Sequence, residues 1–373
     1  MNRLGNWVLA ALILGRFSTG MAAITWYVNG LTGLDSNYCR SATAPCRTIG
    51  EAISRAVSGD SVRVAAGTYA EHLTIGISLE LIGASASTTI IDGSRTDRVI
   101  TIPNPGSVVT LANVTIRNGL PTGGYGYQVF GGGIVNQGTL TINSSTVSGN
   151  SAIGEEYGYG GGIWNSLGKL TINNSTLSGN IARCTHSQCP IGGAAGWGGI
   201  YNNGGTVAIN NSTIAGNTAG LFAGQGEGGG IYNSGILTIS NSTVSSNGAV
   251  SGGGGIYGSA HLQNSIIAYS THGGNCYGTV SSIFSLSSDN SCNLNGPGDL
   301  NNVNPKLGNL GSYGGPTQTY ALLSGSPAID AGNPSGCTDG LGHLLKTDQR
   351  GYPRPNTEDR SGCDMGAYER QGD

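Results

Sequence analysis

Short alternating runs of apolar and polar residues recur through the middle of the chain. Four stretches have nearly the same sequence: residues 131–150, 160–180, 197–217 and 228–247. The second reads GGGIWNSLGKLTINNSTLSGN. Within each stretch, LTI or VAI and STV, STL or STI alternate with a period of two, which is typical of strands. Gly, Asn and Ser recur every few residues, which predicts frequent turns.

This repetition predicts a solenoid, because one unit cannot bury its apolar side alone whereas stacked units can. We therefore predict an all-β, single-stranded right-handed parallel β-helix of about ten coils, roughly 50 Å long at the spacing of paired strands. The predicted inward columns are Ile134, Ile163, Ile200, Ile231 and Ile256; Leu140, Leu170, Val207 and Leu237; Ile142, Ile172, Ile209 and Ile239; and Val147, Leu177, Ile214 and Val244.

Asparagines recur at two turns of the repeat. One set is Asn136, Asn165, Asn202 and Asn233, and the other is Asn150, Asn180, Asn217 and Asn247. Stacking in register would let each side-chain amide bond to the next one. The glycines before each core Ile allow tight bending without a Cβ clash. The repeated text is therefore explained by architecture and requires no catalytic role.

Both ends of the stack need a cap, because an open terminal coil exposes apolar surface and unpaired strands. Residues 45–69 (PCRTIGEAISRAVSGDSVRVAAGTY) predict a short helix, a turn and a strand. The predicted organisation is a signal peptide at residues 1–22, an N-terminal cap and first strands at 23–75, coils with loop insertions at 76–300, and a C-terminal cap at 301–373 that closes the other end.

The composition narrows the classes of function. Net charge is −3 with no cluster of Lys or Arg, which argues against a nucleic-acid partner. Arg3 followed by a short apolar run at residues 7–15 predicts secretion, and no later segment is long and apolar enough to span a membrane. Eight cysteines fit an oxidising compartment, and we predict pairing within local pairs: Cys39 with Cys46, Cys184 with Cys189, Cys276 with Cys292, and Cys337 with Cys363.

Three resemblances accompany these patterns. The helix-turn-strand segment at residues 45–69 is similar to the start of pectate-lyase-like β-helices, in which a helix caps the stack. The GG-Ile and apolar-x-x-Asn pattern is similar to polymorphic outer-membrane protein repeats, which are linked to adhesion. NPKLGNLGSYGGPTQTYALLSGSPAIDAG (residues 304–332), TDQRGYPRP (347–355) and CDMGAYE (363–369) resemble the choice-of-anchor Q domain of secreted bacterial β-helix proteins. These resemblances imply an extracellular location more than an activity.

The acidic residues suggest little chemistry. Between Arg98 and Asp289 the acids are Glu155, Glu156 and Glu227, a poor set for a lyase or hydrolase, which needs carboxylates that converge. Enzyme activity is therefore uncertain, and the sequence favours its absence. Near the C-terminus, calcium is the one cofactor suggested, because carboxylates suit hard cations. The carboxylates concerned are Asp330, Asp348, Asp364 and Glu369. The favoured alternative to calcium is that they pair with Arg350 and Arg354 and so lock the cap.

Insertions at one equivalent place in each repeat, residues 119–130, 151–159, 181–197 and 218–227, predict a binding face. Aromatic rings beside a few polar groups suit sugars or a partner protein. The candidate ligand-binding residues are Tyr125, Tyr127, Tyr157, Tyr159, Glu155, Arg183, Trp197, Phe222 and Glu227. A second aromatic column should face outward, and a stacking ladder is favoured there over a ligand platform: Trp164, Tyr201, Tyr232 and Tyr257.

We therefore expect a secreted or cell-surface protein for adhesion or recognition, with an extracellular glycan or a surface protein as partner. The alternatives are a carbohydrate-active enzyme, either a lyase or a hydrolase, and a structural surface-layer or filament subunit. The sequence leaves the oligomeric state open.

Overall fold

The computed structural model describes residues 22–122, 128–185, 194–220, 225–340, 342–356 and 362–372. The predicted signal peptide lies outside these ranges except for its last residue. Across the ranges described, no helix has both the length and the apolar character needed to cross a membrane.

Three long parallel sheets form the body of the protein, and each complete coil contributes one strand to each sheet in chain order. Sheet A has ten strands: Thr25–Val28, Asp60–Val64, Leu79–Gly83, Val108–Ala112, Thr139–Asn143, Lys169–Asn173, Thr206–Asn210, Ile236–Ser240, Ala260–Gln263 and Val280–Ile283. Sheet B has ten: Gly67–Ala70, Thr89–Asp92, Thr115–Arg117, Thr146–Ser148, Thr176–Ser178, Thr213–Ala215, Thr243–Ser245, Ile266–Ala268, Leu286–Ser287 and Leu300–Asn301. Sheet C has eight: Leu73–Thr74, Ile100–Ile102, Ile134–Asn136, Ile163–Ser166, Ile200–Asn203, Ile231–Asn233, Ile256–Tyr257 and Cys276–Tyr277. The predicted parallel β-helix is thus confirmed.

The predicted inward columns form the core. Equivalent residues pair across neighbouring coils, as Leu140, Leu170 and Val207 do in sheet A. No residue of these columns exposes more than 3% of its surface. Burial of each such side chain contributes about 1.5–3 kcal/mol, so the stack is held mainly by these columns.

Both predicted asparagine ladders are present inside the stack. In the first, Nδ2 of Asn136 donates to Oδ1 of Asn165 at 2.7 Å, and Asn165 bonds Asn202 at 2.8 Å. In the second, Asn150 bonds Asn180 at 3.0 Å, and Asn180 bonds Asn217 at 2.9 Å. These bonds satisfy amides that would otherwise be costly to bury.

A buried serine ladder was not predicted. The Ser175 hydroxyl accepts the backbone N–H of Ser145 at 3.0 Å, and the same contact repeats through the later coils. Its members each lie between sheets A and B: Ser145, Ser175, Ser212, Ser242, Ser265 and Ser285. The serine of each Asn-Ser-Thr is therefore a structural residue.

Glycine and asparagine have separate tasks at the turns. A Cβ on Gly162 would lie 3.0 Å from the Asn180 side chain, so the glycine before the core Ile makes room for the ladder. Left-handed backbone is adopted by Asn174 (φ 50°) and Asn211 (φ 52°), which belong to neither predicted ladder. The ladder and the sharp turn thus use different asparagines.

The N-terminal end has the predicted helical cap. The helix Ile49–Arg55 begins at Thr48, whose hydroxyl accepts the N–H of Glu51. Its buried residues Ile49 and Ala52 join the core of the stack.

The C-terminal segment, residues 304–372, packs differently from the predicted end cap. Its hairpin pairs Leu307–Gly311 with Thr319–Leu322, and the chain then lies along the outer face of sheet B. The segment lies there because it buries apolar side chains: Ile266 and Leu286 point outward from sheet B and are fully buried beneath it. At the end of the stack itself, a disulfide in the last coil and Leu294 complete the core.

The insertions predicted as loops also form strands. Sheet D contains Ser151–Gly154, Ile181–Cys184, Thr218–Ala219 and Gly248–Ala249, and sheet E contains Gln128–Phe130, Tyr157–Tyr159, Ala194–Trp197 and Gln225–Glu227. We call these two sheets together the fin. They approach so closely that a Cβ on Gly158 would lie 2.1 Å from the Ala152 carbonyl oxygen, and one on Gly226 would lie 2.1 Å from that of Ala219. Glycine and alanine therefore form the interior of the fin.

Candidate binding surface

The outer face of sheet E carries aromatic side chains in register. Phe130 pairs with Tyr159, Tyr159 with Trp197, and Trp197 with Glu227. Gly158 faces sheet D, so alternation along the strand places its neighbours Tyr157 and Tyr159 on the opposite face.

The predicted outward column of sheet C lies beside this face. Its tyrosines and Trp164 are paired in register from coil to coil. The two columns touch, since the Tyr201 ring lies 5.5 Å from Tyr159 and 5.4 Å from Trp197, measured between centroids. We call the combined set the aromatic strip: Phe130, Tyr157, Tyr159, Trp164, Trp197, Tyr201, Tyr232, Tyr257 and Tyr277.

Most rings in the strip stack face to face along the solenoid. Tyr159 and Trp197 lie 4.4 Å apart with an interplanar angle of 24°, and Tyr232 and Tyr257 lie 5.0 Å apart at 8°. The ring faces therefore cover one another, as the stacking-ladder interpretation expected. Ring edges, with their hydroxyl groups, are left for a ligand, except at the end of the strip, where Tyr277 is 57% exposed.

Glu227 supplies a carboxylate to the strip. Its Oε2 accepts a hydrogen bond from Nε1 of Trp197 at 3.2 Å, and the residue is half-buried. Burial, the Glu227 charge and a hydrogen bond from the Tyr257 hydroxyl to this carboxylate all raise the pKa of that hydroxyl.

Burial is also the main cause that raises the pKa of three other tyrosines in the strip, Tyr159, Tyr201 and Tyr232. A phenol is ordinarily protonated at neutral pH, and these shifts keep it so into alkaline solution. The strip consequently offers neutral hydroxyl groups, which donate and accept hydrogen bonds, together with the Glu227 carboxylate, which accepts them.

The structure brings together four of the predicted ligand-binding residues: Tyr157, Tyr159, Trp197 and Glu227. Glu155 lies in the turn between sheets D and E. Arg183 pairs with Ile153 in sheet D, and alternation turns its side chain to the other side of the fin. The remaining candidates, Tyr125, Tyr127 and Phe222, lie outside the described residues.

Sequence reasoning kept the two aromatic columns apart and missed Tyr277. The signal for Tyr277 was available, because Cys276-Tyr277 occupies the same register as Ile256-Tyr257 in the preceding coil. The signal that joins the columns is the short Gly-Gly-Gly link between Tyr159 and Ile163, which keeps the two aromatic positions adjacent.

Three predicted disulfides are confirmed: Cys39–Cys46, Cys276–Cys292 and Cys337–Cys363. The fourth predicted pair, Cys184 with Cys189, includes a residue outside the described ranges. Disulfides of this kind are typical of proteins from oxidising compartments.

The predicted acidic set lies in the C-terminal segment and contacts arginine and backbone groups. Asp348 pairs with Arg350 at 2.7 Å, and Glu369 pairs with Arg354 at 2.8 Å, all four side chains being buried. Asp364 accepts the backbone N–H of Asp330 at 2.9 Å. Within the described ranges, no group of three or more His, Cys, Asp or Glu residues is arranged to hold a metal ion. Two of the four carboxylates, Asp348 and Glu369, thus pair with the arginines that the sequence named as their alternative partners.

No protein-family model matches the chain, and no curated protein matches it. Among solved structures, the pectate lyase Pel9A is 15% identical, with 94% of this chain and 98% of that chain covered and a TM-score of 0.50. A pectin methylesterase from Aspergillus niger is 16% identical, covering 77% of this chain and 86% of its own, with a TM-score of 0.41. The likeness to Pel9A shows that the chain shares the right-handed parallel β-helix fold over nearly its whole length; at this identity it shows the fold alone.

Proposed function

We propose that this chain is an extracellular recognition protein that binds glycans along the aromatic strip. The observation that carries the proposal is the continuity of the strip from Phe130 to Tyr277, with the Glu227 carboxylate hydrogen-bonded into it. The strip runs parallel to the solenoid, so an extended glycan would contact several coils at once.

The chemistry of the ring edges supports a glycan ligand. Sugar hydroxyl groups require both donors and acceptors, which the tyrosine hydroxyls and Glu227 provide. Rings locked by stacking have little conformational entropy left to lose on binding, which favours recognition by a rigid tyrosine-rich surface.

The same surroundings support binding more than bond cleavage. Glycoside hydrolysis ordinarily uses two carboxyl groups that face one bond. The ionisable groups whose pKa the Glu227 charge raises are Tyr232 and Tyr257, and burial keeps both protonated. A raised tyrosine pKa weakens that group as a general base near neutral pH.

The location and the attachment are further parts of the proposal. The disulfides support an oxidising compartment, and residues 1–22 have the pattern of a signal peptide. We also propose attachment to a cell surface through the choice-of-anchor Q-like segment at residues 301–373, which the sequence pattern of that segment supports. The aromatic strip contains no residue of this segment.

A glycan array tests the proposal. The chain from Ala23 onward, with its disulfides intact, is applied with and without calcium, and bound glycans are examined for shortening by mass spectrometry. We expect binding without cleavage, and a loss of about tenfold or more in affinity for Trp197→Ala or Tyr277→Ala. Tyr38→Ala is the control, because Tyr38 is an 88% exposed tyrosine that precedes the first helix.

Two results would overturn the proposal. Shortened glycans would show an enzyme. Binding that survives both substitutions in the strip, with circular dichroism unchanged, would place the ligand elsewhere on the protein.

A further inference from the structure

The aromatic strip changes geometry beside Glu227. Before this position the rings of Trp197 and Tyr201 stack at an interplanar angle of 17°, and after it Tyr232 and Tyr257 stack at 8°. Between the two groups, the Tyr232 ring stands at 64° to Trp197 and at 68° to Tyr201, with centroids 5.3 and 5.2 Å away. Ring faces and ring edges therefore meet at an angle at this one junction of the strip.

The Glu227 carboxylate lies at this junction and is held there by its neighbours. Trp197 Nε1 donates to its Oε2, so one oxygen is engaged and the side chain is held in place. The Tyr232 ring lies 5.3 Å from the Trp197 ring that donates this bond, so the carboxylate also lies near the far side of the junction.

No cation of the described chain neutralises this carboxylate. None of the ion pairs among the described residues includes Glu227. Arg98, which lies near the other end of the strip, directs its guanidinium to the carbonyl oxygens of Phe130 and Gly131. The junction is therefore a carboxylate bordered by aromatic rings, with no cation of the described residues paired to it.

We infer that this junction, formed by Glu227, Trp197, Tyr232 and Tyr257, binds the ammonium group of an amino sugar. A carboxylate pairs with an ammonium ion, and the tyrosine hydroxyl groups at the ring edges accept hydrogen bonds from the same ion. The inference rests on the proposed function, since it names the sugar class that the strip would take. An N-acetylated sugar lacks the charge and would lose both interactions.

Isothermal titration of the disulfide-intact chain with three hexasaccharides tests the inference. The probes are β-1,4-linked glucosamine, its fully N-acetylated form and the corresponding glucose oligomer. We expect the glucosamine oligomer to bind about tenfold or more tightly than the other two, and Glu227→Gln to remove this preference. Glutamine retains an oxygen for Trp197 Nε1, so the fold of the junction is kept. Glu80→Gln, a change at an exposed acid of sheet A, should leave the preference unchanged.

The outcomes separate this inference from the function on which it rests. Equal binding of all three oligomers, unaffected by Glu227→Gln, would overturn the ammonium site and leave glycan recognition standing. Binding of methylammonium that depends on Glu227, with no binding of any oligosaccharide, would support a cation site and overturn the glycan. Absence of binding by all four probes would overturn the ammonium site outright.

Discussion

The coils and the C-terminal segment are stabilised by different kinds of contact. In the coils, apolar columns and amide ladders repeat between neighbours, and the ladder partners Asn150 and Asn180 are 30 residues apart. In the C-terminal segment the contacts occur once, and Gln349 donates to the Thr176 hydroxyl across 173 residues of chain. Buried ionisable side chains are absent from the predicted inward columns and prominent in the segment, where Arg354 and Glu369 form a fully buried pair.

This difference teaches where information about the fold resides. A repeating coil is specified by a short sequence motif, because each coil packs only against its neighbours. A segment that occurs once is specified by particular long-range partners, such as the hydroxyl of Thr213, which bonds both Thr319 and Gln349. The C-terminal segment packs on the coils, so damage to the coils should affect the whole protein, whereas damage to the segment should remain local.

The largest effect is expected from a cavity in the stack. Leu170→Ala removes a fully buried side chain between Leu140 and Val207, and such changes cost about 2–5 kcal/mol. Urea unfolding followed by circular dichroism should show this loss in the main transition. Thr171→Ala is the control, because Thr171 points outward and the next coil already has Ala208 at that position. Equal stability of the two variants would contradict the assignment of the core.

A local effect of somewhat smaller size is expected in the C-terminal segment. Replacing Cys337 and Cys363 by serine opens a crosslink between positions 26 residues apart, for which the typical cost is about 2–4 kcal/mol. Limited proteolysis should then cut within residues 304–372 while the coils remain intact, and exposure of Ile266 and Leu286 should increase binding of a hydrophobic dye. Simultaneous loss of the coil signal in circular dichroism would show that the segment and the coils unfold as one unit.

The coils were predictable because their signals recur. The position of Leu170 in the pattern of one repeat was confirmed by Leu140 and Val207 in others, and the same holds for the ladder residue Asn180. The recurring coils predict a stack, and a stack of this type requires a cap, so the single helix at Ile49–Arg55 could be recognised as that cap.

The fin and the path of the C-terminal segment were less accessible. Gly158 was interpreted as part of a loop, because glycine usually indicates a turn, yet here it allows two sheets to touch. The sequence signal that something covers sheet B is weak. It consists of the replacement of outward threonines such as Thr243 by Ile266 and Leu286 in the later coils. The residues of the candidate binding surface were predicted in part, whereas the contact between its two aromatic columns depends on three-dimensional packing.

Within the coils, an inner and an outer amide ladder can be compared directly. Asn180→Ala removes a buried amide and leaves Asn150 without its acceptor, which should cost about 1–3 kcal/mol. Asn173 belongs to an outer ladder with Asn143 and Asn210 and is partly exposed, so Asn173→Ala should cost less than about 1 kcal/mol because water replaces the lost partners. Thermal unfolding of both variants measures the difference. A larger loss for Asn173→Ala would contradict the view that burial makes the ladder important.

A dependence on pH is expected that only the C-terminal segment should show. Burial raises the pKa of Glu369 from its ordinary 4.5 to about 8, although Arg354 acts in the opposite direction. Because the folded segment holds this proton more tightly than the unfolded one, the stabilisation is complete below the ordinary pKa and is lost as pH rises through about 8. The slope cannot exceed about 1.4 kcal/mol per pH unit for one proton.

Hydrogen exchange at pH 6 and pH 9 should show weaker protection of residues 304–372 at the higher pH, after correction for the intrinsic exchange rate, with the coils unchanged. Glu369→Gln should abolish the difference, since glutamine does not titrate; a wild-type segment equally protected at both values would mean that Glu369 is already ionised in its pair with Arg354.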